Sequence, residues 1–218
     1  MTAIYTGGTS SDLMTDYVSQ QILAINPKRV GDFGAGLGKM GRICRQMMGD
    51  NIELVAVEGC EATAADLAIA GLYNRVDFDM IEDWVLDNKE PYDLAIFGDV
   101  LEHLTRKQAL AVLDHTLKFA GNVVINIPLR NLRQDGAESN VLEEHHGYFT
   151  ERSFDRRFIV REKHVTSPSA GYSKMNVWIT GRRRFRLKNA IKGLLFYHFG
   201  RPARVALEKL GYDGYVAG

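Results

Sequence analysis

The 218-residue chain carries 27 basic and 27 acidic side chains, with 45% hydrophobic and 25% charged residues. That length supports one domain with a real core, and the composition is that of an ordinary globular protein, which excludes a disordered or collagen-like chain. The opening MTAIYTGGTSSD lacks the basic start and apolar run of a secretion signal, and no apolar run approaches the about 20 residues that cross a bilayer, so a cytoplasmic chain with no transmembrane segment is expected.

Cys44 and Cys60 show no metal or redox spacing and are read as buried thiols in a reducing compartment. Charge is unevenly spread: residues 182–218 hold nine Lys/Arg against two acids, and the body before them carries the matching acidic excess. An acidic body argues against a large nucleic-acid footprint on the main domain.

In chain order, Met14, Tyr17, Val18, Ile22 and Ile25 fall at helical spacing, with Ser10 and Ser11 as cap candidates. RVGDF is a short strand that runs into a glycine turn, followed by a helix with Met40, Ile43 and Met47 on one face. ELVAVEG, RVDFDMI, YDLAIFGD and NVVINIP read as strands two to five, with the alanine-rich helix EATAADLAIAG after the second. The fourth is nearly continuously apolar, as a strand buried on both faces should be. Thr105 and Gln108 make a capping box before the helix carrying Ala109, Leu110, Leu113 and Leu117. Strands alternating with helices give right-handed crossovers and a parallel sheet.

Beyond residue 128 the pattern changes. LRNLRQDGAESNVLEE is polar and unperiodic, hence a loop. Thr150 is expected to cap a short helix, with Phe149 and Phe154 as its hydrophobic staple. FIVREKHVTS and MNVWITGRR read as an antiparallel hairpin closing the sheet. The expected organisation is a domain over 1–181, with residues 1–27 as an N-terminal helical cap region, and a basic amphipathic helical tail over 182–218. The tail's apolar stripe is expected to dock on the body or on a second copy, giving a homodimer in the latter case; a weak contact with anionic lipid is the alternative.

The glycine stretch admits two cofactors. Gly36-Leu37-Gly38-Lys39-Met40-Gly41 satisfies a dinucleotide fingerprint, in which a helix N-terminus receives a pyrophosphate. Asp32-Phe33-Gly34-Ala35-Gly36-Leu37-Gly38 satisfies another pattern, an acid followed by staggered glycines. An acid at the strand end is unhelpful beside a phosphate and useful beside an ammonium group. Glu58, ending strand two, can accept from two ribose hydroxyls in either reading.

The order DFGAGLG, an acid ending strand two, YDLAIFGDVLEHL, NVVINIP and a terminal hairpin resembles the class I S-adenosylmethionine-dependent methyltransferases over most of residues 25–181. The resemblance implies a Rossmann-like α/β fold: a mostly parallel seven-stranded sheet, a C-terminal antiparallel hairpin and helices on both faces. It implies S-adenosylmethionine as cofactor. Asp32 then lies near the methionine end, Gly34, Ala35, Gly36 and Gly38 form the floor, and Glu58 takes the ribose. In MIEDW, Glu82 or Asp83 accepts from the adenine amino group while Trp84 or Ile81 packs nearby. Gly98 and Asp99 border the methyl group.

Methyl transfer from a sulfonium is an in-line displacement, so the protein chiefly aligns the nucleophile; a hydroxyl acceptor also benefits from a base. If DVLEH opens a helical turn, Asp99, Glu102 and His103 share a face at the sheet's carboxyl edge, where open α/β sheets bind ligands. EEHHGYF, with His145 and His146, follows the loop where such enzymes build the acceptor site. His103, His145 and His146 are the candidate bases, with Glu102 orienting His103; no metal is assigned.

The motifs DVLEHL and HxxFT look most like small-molecule methyltransferases, so a hydroxyl or amine on a small polar molecule, such as a sugar or secondary metabolite, is the expected acceptor. Two alternatives stay open. One is a metal-assisted RNA 2′-O-methyltransferase using Asp99, Glu102, His103 and one of His145 or His146; the resembling enzymes carry Glu in place of Asp99 and a differently spaced histidine motif. The other is a module that binds the cofactor without catalysis.

Overall fold

The computed structural model of the chain describes residues 14–129, 144–166 and 173–182. Seven strands form one sheet in the order β3-β2-β1-β4-β5-β7-β6. β1 (Arg29–Phe33), β2 (Glu53–Glu58), β3 (Arg75–Phe78), β4 (Tyr92–Gly98) and β5 (Ala120–Leu129) run parallel. β6 (Phe158–Thr166) and β7 (Ser173–Arg182) are antiparallel, with β7 inserted between β5 and β6. The chain leaves β1 for β2 on one side and later returns to β4 on the other. That reversal opens a crevice at the carboxyl ends of β1 and β4, the ligand position of open α/β sheets.

The alternation of side chains along the strands sends two apolar sets to opposite faces. One set, including Val30, Leu54, Leu94, Ile96 and Val124, packs under α1 (Thr15–Ile25), α2 (Lys39–Met48) and α3 (Glu61–Ala70). The other, including Phe33, Val57, Phe97 and Ile125, packs under α4 (Ile81–Asp87) and α5 (Arg106–Thr116). The capping box at Thr105 and Gln108 is present in both halves. Ser10 and Ser11 lie outside the described residues; α1 opens after Met14, whose φ is 76°.

Three expectations change. MIEDW, expected to pack Trp84 or Ile81 near an adenine, opens a helix: Ile81, Trp84 and Val85 have helical spacing, and they bury one face of α4 in the core. Trp84 packs tilted against Phe33 and edge-on to Tyr92 and Phe119, and its Nε1 donates to Asp77 Oδ2 at 2.9 Å. Residues 151–157 form turns rather than a helix. There the Thr150 N–H donates to Ser153 Oγ at 2.8 Å, and Phe149 and Phe154 still stack, 5.7 Å between centroids. Finally, Cys44 is buried but Cys60 is only half-buried, at the start of α3.

The chain divides after Arg182 into two units. Every described residue belongs to the first, and the basic stretch from 183 onward lies outside the described residues. Among the described residues no helix is long and apolar enough to cross a membrane.

Candidate active site

At the crevice, β1 runs through Asp32 and Phe33 into a turn in which Gly34, Gly36 and Gly38 have φ of 76°, 51° and 78°. The left-handed region is costly for residues with a Cβ. Gly34 is doubly constrained, because a Cβ there would lie 2.3 Å from Val100 Cγ2. At Gly36 a Cβ would meet nothing within 4 Å. The turn is therefore packed tightly against the segment after β4 on one side and open on the other, a cradle that a ligand can enter. Ala35 is buried and Gly38 starts α2.

Glu58 closes the cradle at the end of β2. Its Oε2 accepts from Gly36 N at 2.8 Å and its Oε1 from Cys60 N at 2.9 Å, fixing the carboxylate between the turn and α3. Asp79, immediately after the neighbouring strand β3, donates its N–H to the Glu58 carbonyl at 3.2 Å. Met80 lies over Gly59, where a Cβ would come within 2.8 Å of its sulfur. Glu82 and Asp83 sit in the first turn of α4, Glu82 half-buried and Asp83 exposed.

Asp32 lies near the end of β1, just ahead of the turn. It is 1% exposed, and its Oδ2 accepts from Tyr73 Oη at 2.5 Å and Gly41 N at 3.0 Å. Its Oδ1 has no hydrogen-bond partner among the described residues. Burial pushes its pKa up from 3.8 to about 6, against the lowering effect of the Tyr73 and Gly41 hydrogen bonds. Tyr73 was not singled out from the sequence. Its hydroxyl would lie 2.3 Å from a Cβ at Gly41, so α2 approaches closely enough to bond Asp32 only because residue 41 is glycine.

On the other side of the crevice, β4 ends at Gly98, against Met40, and Asp99 adopts φ 55°. Asp99 N donates to the Asn126 carbonyl at 3.0 Å, and Asp99 Oδ2 accepts from Lys174 Nζ. Leu101–His103 form a single 3-10 turn rather than a regular helix. Glu102 is 3% exposed, and its carbonyl accepts from His146 N at 2.9 Å and Gly147 N at 2.8 Å. A Cβ at Gly147 would lie 2.6 Å from the Leu104 carbonyl, so the glycine permits the loop to dock here.

That docking brings His145 edge-on to His103, 5.0 Å between ring centroids. Ligand atoms of Glu102, His103 and His145 all lie within 4.8 Å of one another, a set able to hold a metal ion. His146 stays outside this group, with its Nε2 3.8 Å from Glu144 Oε2. Asp99, tied to Lys174, is also outside it. His103 Nδ1 lies 3.3 Å from the Glu144 carbonyl. A carbonyl only accepts, so Nδ1 carries the proton of the neutral ring and Nε2 is its basic nitrogen.

No family model and no curated protein matches the sequence. Solved structures do resemble it. The N-terminal domain of EvdMO1, determined in the presence of SAH and D-fucose, is 15% identical with a TM-score of 0.58, over 81% of this chain and 85% of that one. The 1,6-didemethyltoxoflavin-N1-methyltransferase of Burkholderia thailandensis, with 1,6-didemethyltoxoflavin and S-adenosylhomocysteine bound, is 17% identical with a TM-score of 0.56, over 79% and 80%. The magnesium protoporphyrin IX methyltransferase of Synechocystis PCC 6803, with SAH bound, is 16% identical with a TM-score of 0.54, over 77% and 82%. The chain has the Rossmann-like class I methyltransferase fold, mostly parallel with antiparallel C-terminal strands.

Proposed function

We propose that this chain is an S-adenosylmethionine-dependent methyltransferase acting on a hydroxyl or amine of a small polar molecule. The observation that carries this reading is the open cradle at Gly36, closed by the Glu58 carboxylate, at the reversal point of a class I methyltransferase sheet. Similar structures, one determined in the presence of SAH and D-fucose and one with 1,6-didemethyltoxoflavin and S-adenosylhomocysteine bound, support a small-molecule acceptor.

The residues fit the cofactor. Gly34, Ala35, Gly36 and Gly38 make its floor, and Glu58 accepts from the ribose. The adenine end falls to Asp79 and Met80, which adjoin Glu58, with Glu82 or Asp83 at its rim. A polarisable thioether suits an aromatic ring. Trp84 and Ile81, turned into the core, take no part. Asp32 holds α2 and Tyr73 against the turn.

When bound, the sulfonium supplies a methyl group that is already activated. His103 Nε2 takes the proton of an acceptor hydroxyl, and His145 fixes the His103 ring from its edge. The Glu144 carbonyl holds the tautomer this requires. The test is release of S-adenosylhomocysteine with a panel of sugars, phenols and amines. Release above the acceptor-free rate supports the reading, and none across the panel with cofactor bound favours a non-catalytic module.

A second reading adds a divalent cation held by Glu102, His103 and His145, favoured by their convergence within 4.8 Å. Activity lost in EDTA and restored by Mn²⁺ or Mg²⁺ would select it.

A further inference from the structure

Lys174 directly precedes MNVWITGRR, the second strand of the hairpin, and the reaction as described does not use it. It opens β7 opposite Pro128 at the carboxyl end of β5, and its side chain is 3% exposed. Among the described residues its hydrogen-bond partner is Asp99. Asp99 is itself held at φ 55°, with Oδ1 buried and without a hydrogen-bond partner among the described residues. A buried ion pair is weak evidence for stability, because desolvation offsets most of the attraction. A left-handed aspartate adds backbone strain to that cost. Such an arrangement calls for a functional account.

Its location supplies one. Asp99 adjoins Val100, which packs against Gly34 of the cradle, so the chain at Asp99 runs beside the turn, at the end where the resemblance puts the methyl group. A lone carboxylate beside a sulfonium would stabilise the charged ground state. The transition state loses that charge as the carbon–sulfur bond breaks, so the interaction would raise the barrier. An ammonium on the carboxylate cancels the effect while leaving Oδ1 as a hydrogen-bond acceptor.

We propose that Lys174 is a positioning residue that neutralises Asp99, so that the methyl end of the site does not overstabilise the sulfonium. The inference rests on the methyltransferase reading above. Calorimetry with S-adenosylmethionine, S-adenosylhomocysteine and sinefungin, an analogue in which an amine-bearing carbon replaces the methyl-bearing sulfur, tests it without any acceptor. In Lys174→Met the uncancelled carboxylate should shift preference toward the cationic ligands, S-adenosylmethionine and sinefungin over S-adenosylhomocysteine, by about tenfold, a modest fraction of the Coulomb energy of nearby charges at a protein surface. Asp99→Asn leaves an uncancelled ammonium and should shift the preference the opposite way, which keeps the test decisive if the methionine variant does not fold. Lys174→Arg should keep the wild-type ratio within about twofold, because the charge is retained.

An unchanged ratio in both charge-altering variants, or shifts of the same sign, would overturn the proposal. Failure of the wild-type protein to bind any of the three ligands would instead remove the methyltransferase reading, and this inference with it.

Discussion

His103 and His145 come from segments on either side of β5, yet their rings meet edge to face, 5.0 Å between centroids. The contact is built by backbone: two N–H groups of the later loop, His146 and Gly147, share the Glu102 carbonyl. If His103 Nε2 is the base, His103→Ala should lower turnover about a hundred- to ten-thousandfold, while affinity for S-adenosylhomocysteine stays within about twofold of wild type. His145→Ala should fall in the same direction. His146→Ala should stay near wild type, since its side chain faces Glu144 rather than the pair. Turnover measured as S-adenosylhomocysteine release checks all three, and a larger loss from His146 than from His145 would contradict the assignment.

The glycine turn makes a prediction that separates stability from binding. Gly34→Ala places a Cβ 2.3 Å from Val100 at a φ of 76°, combining overpacking of about 1–3 kcal/mol with about 1–2 kcal/mol of left-handed strain. Gly36→Ala carries the strain without the clash, and should cost only about 1–2 kcal/mol. Because its methyl group enters the open cradle, it should nonetheless weaken S-adenosylhomocysteine binding at least roughly tenfold. Thermal melts should therefore show the larger loss for Gly34→Ala, while calorimetry shows the larger loss of affinity for each degree of melting temperature lost in Gly36→Ala.

Asp32 sets a pH dependence. Its carboxyl is raised by burial from 3.8 to about 6, so the folded protein holds that proton more tightly than the unfolded chain. The stability tied to this proton is present below pH 3.8 and lost as the pH rises to about 6. Above that the charged, desolvated Asp32 costs on the order of 3 kcal/mol. Asp32→Asn keeps an oxygen to accept from Tyr73 and Gly41, and should raise the melting temperature at pH 8. It should also flatten the stability curve between the same limits. A lower melting temperature at pH 8 with an unchanged slope would show that the charge is not a cost.

The strands, the glycine turn and the capping box were legible because each rests on local chemistry: alternation, positive φ and side-chain bonds three residues apart. The helix at Ile81–Asp87 was not. Its seven residues are too few for a clear period, and the resemblance gives its acids and tryptophan to the adenine rather than to the core. The partners of the site were also hidden. Tyr73 on Asp32 and Lys174 on Asp99 are contacts between residues far apart in sequence, made only when the sheet assembles. Both histidine segments could be named from the sequence, but which of His145 and His146 faces His103 depended on Gly147 docking against Leu104.

The relocation of the adenine end can be checked directly. Trp84→Phe keeps most of the buried ring and loses the bond to Asp77 Oδ2, a cost of about 1 kcal/mol, and should leave S-adenosylhomocysteine affinity unchanged. Asp79→Ala, which loses the bond from Met80 N to Asp79 Oδ1, should likewise cost about 1 kcal/mol but weaken that affinity several-fold. The reverse pattern would return the adenine to Trp84.

The central claim is that the cradle formed by Gly34, Gly36 and Glu58 takes S-adenosylmethionine rather than a dinucleotide. Isothermal titration calorimetry of the full chain with S-adenosylhomocysteine and with NAD⁺ tests it most directly. The account predicts saturable binding of S-adenosylhomocysteine at one molecule per chain, abolished by Glu58→Ala together with Gly36→Ala, and no heat with NAD⁺. Saturable NAD⁺ binding with none for S-adenosylhomocysteine would contradict it.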